Sequence, residues 1–381
     1  MPQFVQVYLW NEPLGVMARD SETHCGQFEF YPSFLKKGWD ISPLLFSMEN
    51  LRAKSEIFNF DNAAGLPVFL TDILPGGYAK DILRYALQNS PQTPETLSSQ
   101  SYLSLIGSRG LGAFRFEPSG YPELNSSESI DIDLMVKSAI NLYNGGVLSE
   151  RRVRELLRSG LFTRGSWPKA LVAVNDFTGD VISGQDVIPE GFEGWILKLD
   201  GVRNDPVDTL IVEYDSYKKA KECGLEMAAC RMLREGHRLH LLCKRFDRKG
   251  NDKIHVQSFL ALRDGQDDSY EAVFRCMRQL RLPYPDMEQM FRRMVFNVLI
   301  GNTKDKPEKI MFTFSTTHGW RLAPAFNLKP TPYIDVHALS VGGKVQDITT
   351  EEILDLGKKL NIKQAKMIVK SCKDVLEKYM F

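Results

Sequence analysis

Residues 301–309 read Gly-Asn-Thr-Lys-Asp-Lys-Pro-Glu-Lys. An apolar run, Met294-Val295-Phe296-Asn297-Val298-Leu299-Ile300, precedes them and predicts the end of a helix. Ile310-Met311-Phe312-Thr313-Phe314 follows and predicts a strand. Helix, polar loop and strand, in that order, is where a phosphotransferase keeps its base and metal ligands. This loop carries lysines at 304, 306 and 309, with Asp305 and Glu308 as its acidic residues. An ammonium group cannot accept a proton at neutral pH, and it repels a divalent cation. The stretch therefore poses a question of chemistry as well as of fold.

The chain has 381 residues, enough for two or three packed units. Hydrophobic residues make up 43% and charged residues 25%, the composition of an ordinary globular protein. Basic and acidic side chains balance at 48 each, which removes any global electrostatic case for binding nucleic acid or a membrane. No apolar run reaches the length of a membrane span. The start, MPQFVQVYLWNEP, lacks a basic region followed by a small-residue cleavage site. The six cysteines form no C-x-x-C pair, and no histidine spacing completes a zinc site. These features predict reduced, mostly buried thiols and a cytoplasmic location.

Along the chain, Phe4–Trp10, Val16–Arg19 and Cys25–Tyr31 alternate as strands, and Ala79–Gln88 reads as a helix. Gly107, Gly110 and Gly112 break a loop that enters a strand. A dinucleotide fingerprint needs the opposite order, strand then helix N-terminus, so this loop reads as a structural turn. Residues 119–131 form a polar linker. Helices are expected at Ile132–Asn144 and Glu150–Ser159, then strands at Ala170–Val174, Gly194–Asp200 and Leu239–Phe246. A long helix, Glu213–Arg234, is expected between the last two strands. Further helices are expected at Tyr270–Leu280, Pro285–Ile300 and Thr349–Met380. The order predicts an α+β protein with a small β-rich N-terminal lobe and a larger helical C-terminal lobe.

Several of these segments together resemble the HipA-like serine/threonine kinases, the toxin kinases of bacterial toxin–antitoxin pairs. The family's loop reads roughly N-T-D-x-H-x-x-N, and Asn302-Thr303 keep its frame. Gly165-Ser166-Trp167-Pro168-Lys169-Ala170 is similar to the family's phosphate-covering turn. Gly194–Leu199 is similar to its strand with an ATP-contacting lysine, here Lys198, and Glu213 to its helix glutamate. Lys244-Arg245-Phe246-Asp247-Arg248 is similar to its R-F-D-R signature beside the adenine pocket. Trp320-Arg321-Leu322-Ala323-Pro324-Ala325-Phe326-Asn327-Leu328 is similar to its W-R-L-A-P-A-Y-D-L. The resemblance implies a two-lobed protein-kinase-like fold in three parts: a β-rich N-terminal subdomain over 1–118, a nucleotide-binding N-lobe over 119–245 and a helical C-lobe over 246–381.

The same resemblance implies ATP at Gly165, Ser166, Lys169, Lys198, Glu213, Lys244, Arg245 and Phe246. It implies a protein substrate and a small helix-turn-helix antitoxin as partners, with DNA reached only through the antitoxin. At the catalytic positions the match fails. Lys304 stands where the family has its catalytic Asp, Lys306 its His, Lys309 its Asn, and Asn327 its magnesium-binding Asp. An amide oxygen at Asn327 still binds a cation, but brings no charge. The family's activation-loop serine is replaced by Phe162, with Thr163 beside it as a modification candidate. The expected function is a nucleotide-binding pseudokinase with magnesium doubtful. One alternative is an active kinase in which Asp305 substitutes as base and metal ligand. Another is a protein-interaction scaffold that binds no nucleotide.

Overall fold

The structure, a computed structural model, describes residues 4–20, 25–53, 56–62, 64–88, 91–120, 128–160, 163–202 and 209–379. The chain separates into two compact units. One comprises Met1–Ile41, Phe46–Pro206 and Arg231–His255; the other comprises Ser42–Leu45, Val207–Cys230 and Val256–Phe381.

The first unit holds two five-stranded sheets. The first sheet contains β1 (Phe4–Leu9), β2 (Glu12–Arg19), β3 (Gly26–Phe30), β4 (Phe58–Phe60) and β5 (Phe114–Glu117), in the order β4-β3-β2-β1-β5 and antiparallel throughout. Strict alternation buries Val5, Val7 and Leu9 while Phe4 and Gln6 face solvent. An aromatic cluster of Phe28, Phe30, Phe46, Phe58 and Phe69 packs edge to face beneath the sheet. Gly15 is required here, because a Cβ would lie 2.2 Å from the Glu29 carbonyl oxygen on the adjacent strand.

The second sheet contains β6 (Lys169–Val174), β7 (Val181–Ser183), β8 (Glu193–Lys198), β9 (Cys230–Glu235) and β10 (Arg238–Lys244), in the order β7-β6-β8-β10-β9. Strand β9 corrects the sequence expectation of one long helix from Glu213 to Arg234. The helix covers Thr209–Glu222 and stops before Gly224, whose φ of +80° is left-handed. The residues beyond it gain ladder hydrogen bonds at the sheet edge, and these outweigh the good helix propensity of Met232, Leu233 and Arg234. A short ribbon, β11 (Arg248–Lys249) with β12 (Asp252–Lys253), follows.

The second unit is mainly helical. It contains helices Thr209–Glu222, Tyr270–Gln279, Tyr284–Ile300, Thr350–Lys359 and Ala365–Glu377, and a small sheet of β13 (His255–Ser258), β14 (Met311–Ser315) and β15 (Gly319–Leu322). The single helix expected over Thr349–Met380 is two helices, with Asn361 in a left-handed conformation between them; Met380 lies outside the described residues. The first of the two begins with a reciprocal Thr349–Glu352 capping box. Helix Tyr284–Ile300 buries Met287, Met290, Phe291 and Met294 and ends at Gly301, also left-handed, so the chain leaves it abruptly into the lysine loop. Among the described residues no helix is long and apolar enough to cross a membrane.

His255 is fully buried in the first unit against Trp10 and Phe114, and burial pushes its pKa down to about 3. The folded chain refuses a proton that the unfolded chain takes up below its ordinary value, so stability falls as pH drops from that value towards 3. Replacing His255 with Leu should flatten the dependence of unfolding free energy on pH between about 6 and 4 by close to one proton, read by denaturant titration across that range.

Candidate functional site

In the first unit, Gly165 and Ser166 are exposed at the tip of a turn, with Gly165 at φ +82°. The turn lies on Gly76: a Cβ at Gly76 would sit 2.2 Å from the Gly165 nitrogen, and the Tyr78 amide donates to the Gly165 carbonyl at 3.3 Å. The Lys169 ammonium lies close against Gly165 and donates to the Arg164 carbonyl. Lys169 and Lys198 are direct register partners on the antiparallel strands β6 and β8, so they share one face of the sheet. Lys198 is 9% exposed. Two like charges directly opposite each other are unfavourable unless an anion or other acceptors offset them. The structure thus places Lys169 beside the Gly165 turn and, across the β6–β8 register, opposite Lys198.

The R-F-D-R segment is held by a buried ion pair. The Arg245 guanidinium is buried and grips Asp247 with two parallel hydrogen bonds, 2.9 and 2.7 Å, while its third nitrogen donates to the Gly184 carbonyl at 2.9 Å. Asp247 also accepts from the Gly112 amide at 2.8 Å. Burial alone would raise the Asp247 pKa, but Arg245 and then Arg248 hold it well below the usual carboxylate range. The side chain of Arg245 therefore holds Asp247, which in turn takes the Gly112 amide of the glycine loop, and each of its three nitrogens donates within the protein. Lys244 pairs with Glu193 at 2.6 Å on the sheet surface and Phe246 is half-buried.

In the second unit, a buried polar network holds the lysine loop. Asn302 donates to the Asn297 side-chain oxygen at 2.9 Å, and Asn297 donates to the Tyr270 hydroxyl at 3.0 Å. Tyr270 in turn donates to Asp305 Oδ2 at 2.7 Å. His337 Nδ1 approaches the same oxygen at 3.1 Å, and the Ala338 amide donates to Oδ1 at 3.0 Å. Burial and the Asp305 charge push the Tyr270 phenol far above its ordinary range, so it stays a donor. The segment 331–338 is tied to the loop at both ends, by Thr331 N–H to Gly301 O and Ala338 N–H to Thr303 O.

This arrangement bears on the idea of Asp305 swinging in as a base. Its side chain is buried and both oxygens are occupied, so turning outwards would leave three donors without an acceptor. Lys304 and Lys306 are the exposed side chains of the loop, and Lys309 is half-buried. Asn327 sits in a left-handed conformation at φ +53°, which asparagine tolerates well. The strand leading to it is fixed by Arg321, paired through two nitrogens with Asp286 at 2.8 and 2.7 Å, and by the Leu322 amide on the same carboxylate. Glu213 is buried and has Lys329, two residues after Asn327, 4.0 Å away. Thr163 is buried with its hydroxyl donating to the Gly160 carbonyl, so it is not presented for modification; Phe162 lies outside the described residues.

The donor set does not fit magnesium. Of the positions that the resemblance assigns to the metal, one is an ammonium, Lys309, and one a neutral amide, Asn327. The neighbouring carboxylate, Asp305, is already saturated by protein donors. Sequence reasoning missed Tyr270, Asn297, His337 and Lys329. Asn297 alone carried a signal, as the one amide in the apolar run Met294–Ile300.

Two family models match the chain. The HipA N-terminal domain matches residues 5–117, and the HipA-like C-terminal domain matches residues 162–379, more than half of the chain. The chain belongs to the HipA-like family. Among solved structures it is similar to HipA in the Shewanella oneidensis MR-1 toxin–antitoxin complex of HipA, HipB and operator DNA. That match has a TM-score of 0.70 at 16% identity and covers 98% of this chain and 90% of that one, a likeness of fold. A second structure, the Helicobacter pylori proinflammatory kinase CtkA, matches at a TM-score of 0.37 and 13% identity over 50% of this chain and 80% of that one. No curated protein matches in sequence.

Removing the Asp305 carboxylate should loosen the loop rather than merely abolish chemistry. Asp305→Ala is expected to destabilise the second unit by about 3 kcal/mol and Tyr270→Phe by about 1 kcal/mol, both measured by denaturant unfolding.

Proposed function

We propose that the chain is a nucleotide-binding pseudokinase of a toxin–antitoxin type system, in which ATP is held by ammonium groups and backbone amides rather than through magnesium. The observation that carries this reading is the opposed pair Lys169 and Lys198 on one face of a sheet, beside the exposed Gly165–Ser166 turn. Polyphosphate is the anion such a pair suits: each ammonium contributes a charge-assisted hydrogen bond, and amides in a glycine turn add dipoles of the same sign. Lys304 and Lys306 bring further positive charge where a kinase needs an acceptor for the substrate hydroxyl's proton. Asp305, the carboxylate between the two exposed lysines, is engaged inside the protein, and the other acidic residue of the loop, Glu308, is half-buried three residues further on.

A helix-turn-helix antitoxin is the proposed partner, with DNA contacted through it. The neutral net charge is consistent with a chain that does not itself grip DNA. Co-expression followed by size-exclusion chromatography would test for such a complex.

Calorimetric titration of ATP into the purified chain decides the nucleotide reading. Binding is expected to be unchanged by magnesium or by its chelation, and to weaken about ten-fold in Lys198→Met. A requirement for magnesium, or no binding at all, would overturn it. A second measurement addresses the lost chemistry. The triple variant Lys304→Asp, Lys309→Asn, Asn327→Asp is expected to gain magnesium-dependent ATP binding and phosphate transfer that the parent lacks. Transfer by the parent that survives Asp305→Ala would show that this loop is not where the chemistry resides.

A further inference from the structure

The first unit contains a cavity of about 480 Å³ walled by helix Gly77–Ala86, helix Ile132–Tyr143 and Pro168. Its size falls within the range of small-molecule sites. Three phenol rings contribute to the wall: Tyr78, Tyr85 and Tyr143. Tyr85 spends its hydroxyl on the backbone of Leu148. Tyr143 is 60% exposed at the rim. Tyr78 is only 5% exposed, yet its hydroxyl has no hydrogen-bond partner among the described residues. A phenol hydroxyl both donates and accepts, so one on a cavity wall with no protein partner can serve a polar ligand atom.

The charges of the lining specify which kind. Asp81 lies close enough that its carboxylate, together with burial, pushes the Tyr78 phenol up. Arg84 also lines the cavity, but its guanidinium is shared between Asp81 and Glu95, each at 2.7 Å. Among the described residues, Asp81 and Arg84 are the charged residues of the wall, and Glu95, which does not line the cavity, competes with Asp81 for the guanidinium, so the Asp81 charge is only partly offset. Tyrosine ring faces attract cations, and a phenol oxygen accepts an N–H donor.

We propose that this cavity is a binding site for a small organic cation, an ammonium or guanidinium group. The tyrosine rings would enclose it, Asp81 would supply the counter-charge, and the Tyr78 oxygen would accept one N–H. The site is independent of the nucleotide reading, because its groups bind whether or not ATP does. Its wall nevertheless continues into the Gly165 turn: Pro168 lines the cavity, and Tyr78 donates its amide to Gly165. A bound cation would therefore brace that turn.

Two probes titrated into the full chain by calorimetry test the proposal. N-acetyl-lysine methylamide carries N–H donors, and tetramethylammonium carries none. Both should bind saturably at one site, and Tyr143→Ala and Asp81→Asn should each weaken both about three- to ten-fold. Tyr78→Phe should weaken the lysine probe and leave tetramethylammonium unchanged, a distinction that a merely structural role of Tyr78 would not produce. Both altered side chains at the rim are exposed, so melting temperatures of those variants should match the parent. The proposal is overturned if neither probe saturates in the millimolar range, if acetate binds in their place, or if affinity survives both rim substitutions.

Discussion

The carboxylate of Asp305 is buried, and a buried carboxylate must be satisfied. Everything around the lysine loop follows from that requirement. Tyr270 reaches it from the start of one helix, and His337 and Ala338 from the far end of the 331–338 segment. Asn297 and Asn302 extend the same network back into the helix that precedes the loop. Each member removes the desolvation penalty of another, so the loop's backbone is set by side chains that face inwards. Outward-facing positions are then free to change, and these are where the lysines stand.

The first unit is organised on the same principle. Asp247 is buried with Arg245, and the pair is completed by the Gly112 amide and the Gly184 carbonyl. Breaking such a pair from one side strands a charge in the interior, so neither partner changes alone. Arg321 and Asp286 repeat the device in the second unit, closer to solvent. The two motifs that most clearly mark the family in this sequence, R-F-D-R and W-R-L-A-P, are thus held here by internal ion pairs.

The legibility of the sequence tracked how local each determinant was. Strands with period-two burial, such as Phe4–Leu9, and helices with a capping residue and an apolar stripe, such as Tyr270–Gln279, could be read directly. Cys230–Glu235 could not. Its residues favour a helix, and pairing with the next strand, Arg238–Lys244, at the edge of the sheet turns them into a strand. The Gly165 turn and Lys198 were visible as motif positions, but their juxtaposition depends on β6–β8 register, which no local pattern encodes. Tyr270 and His337 lie 35 and 32 residues from Asp305 in the chain, and nothing in their own neighbourhoods announces a shared hydrogen bond.

These observations separate two kinds of constraint within one loop. Asn302, Thr303 and Asp305 are buried and bear on whether the chain folds; Lys304 and Lys306 are exposed and do not. A substitution at the second kind of site costs little stability, because an exposed lysine keeps its hydration wherever it points. The electrostatic consequence is large, since a lysine there fixes a positive charge and accepts no proton at neutral pH. The scaffold can therefore change the charge of its outward positions without losing its shape. On the function proposed above, the positive charge at 304 and 306 suits a phosphate-bearing ligand, and binding is the activity expected of the chain.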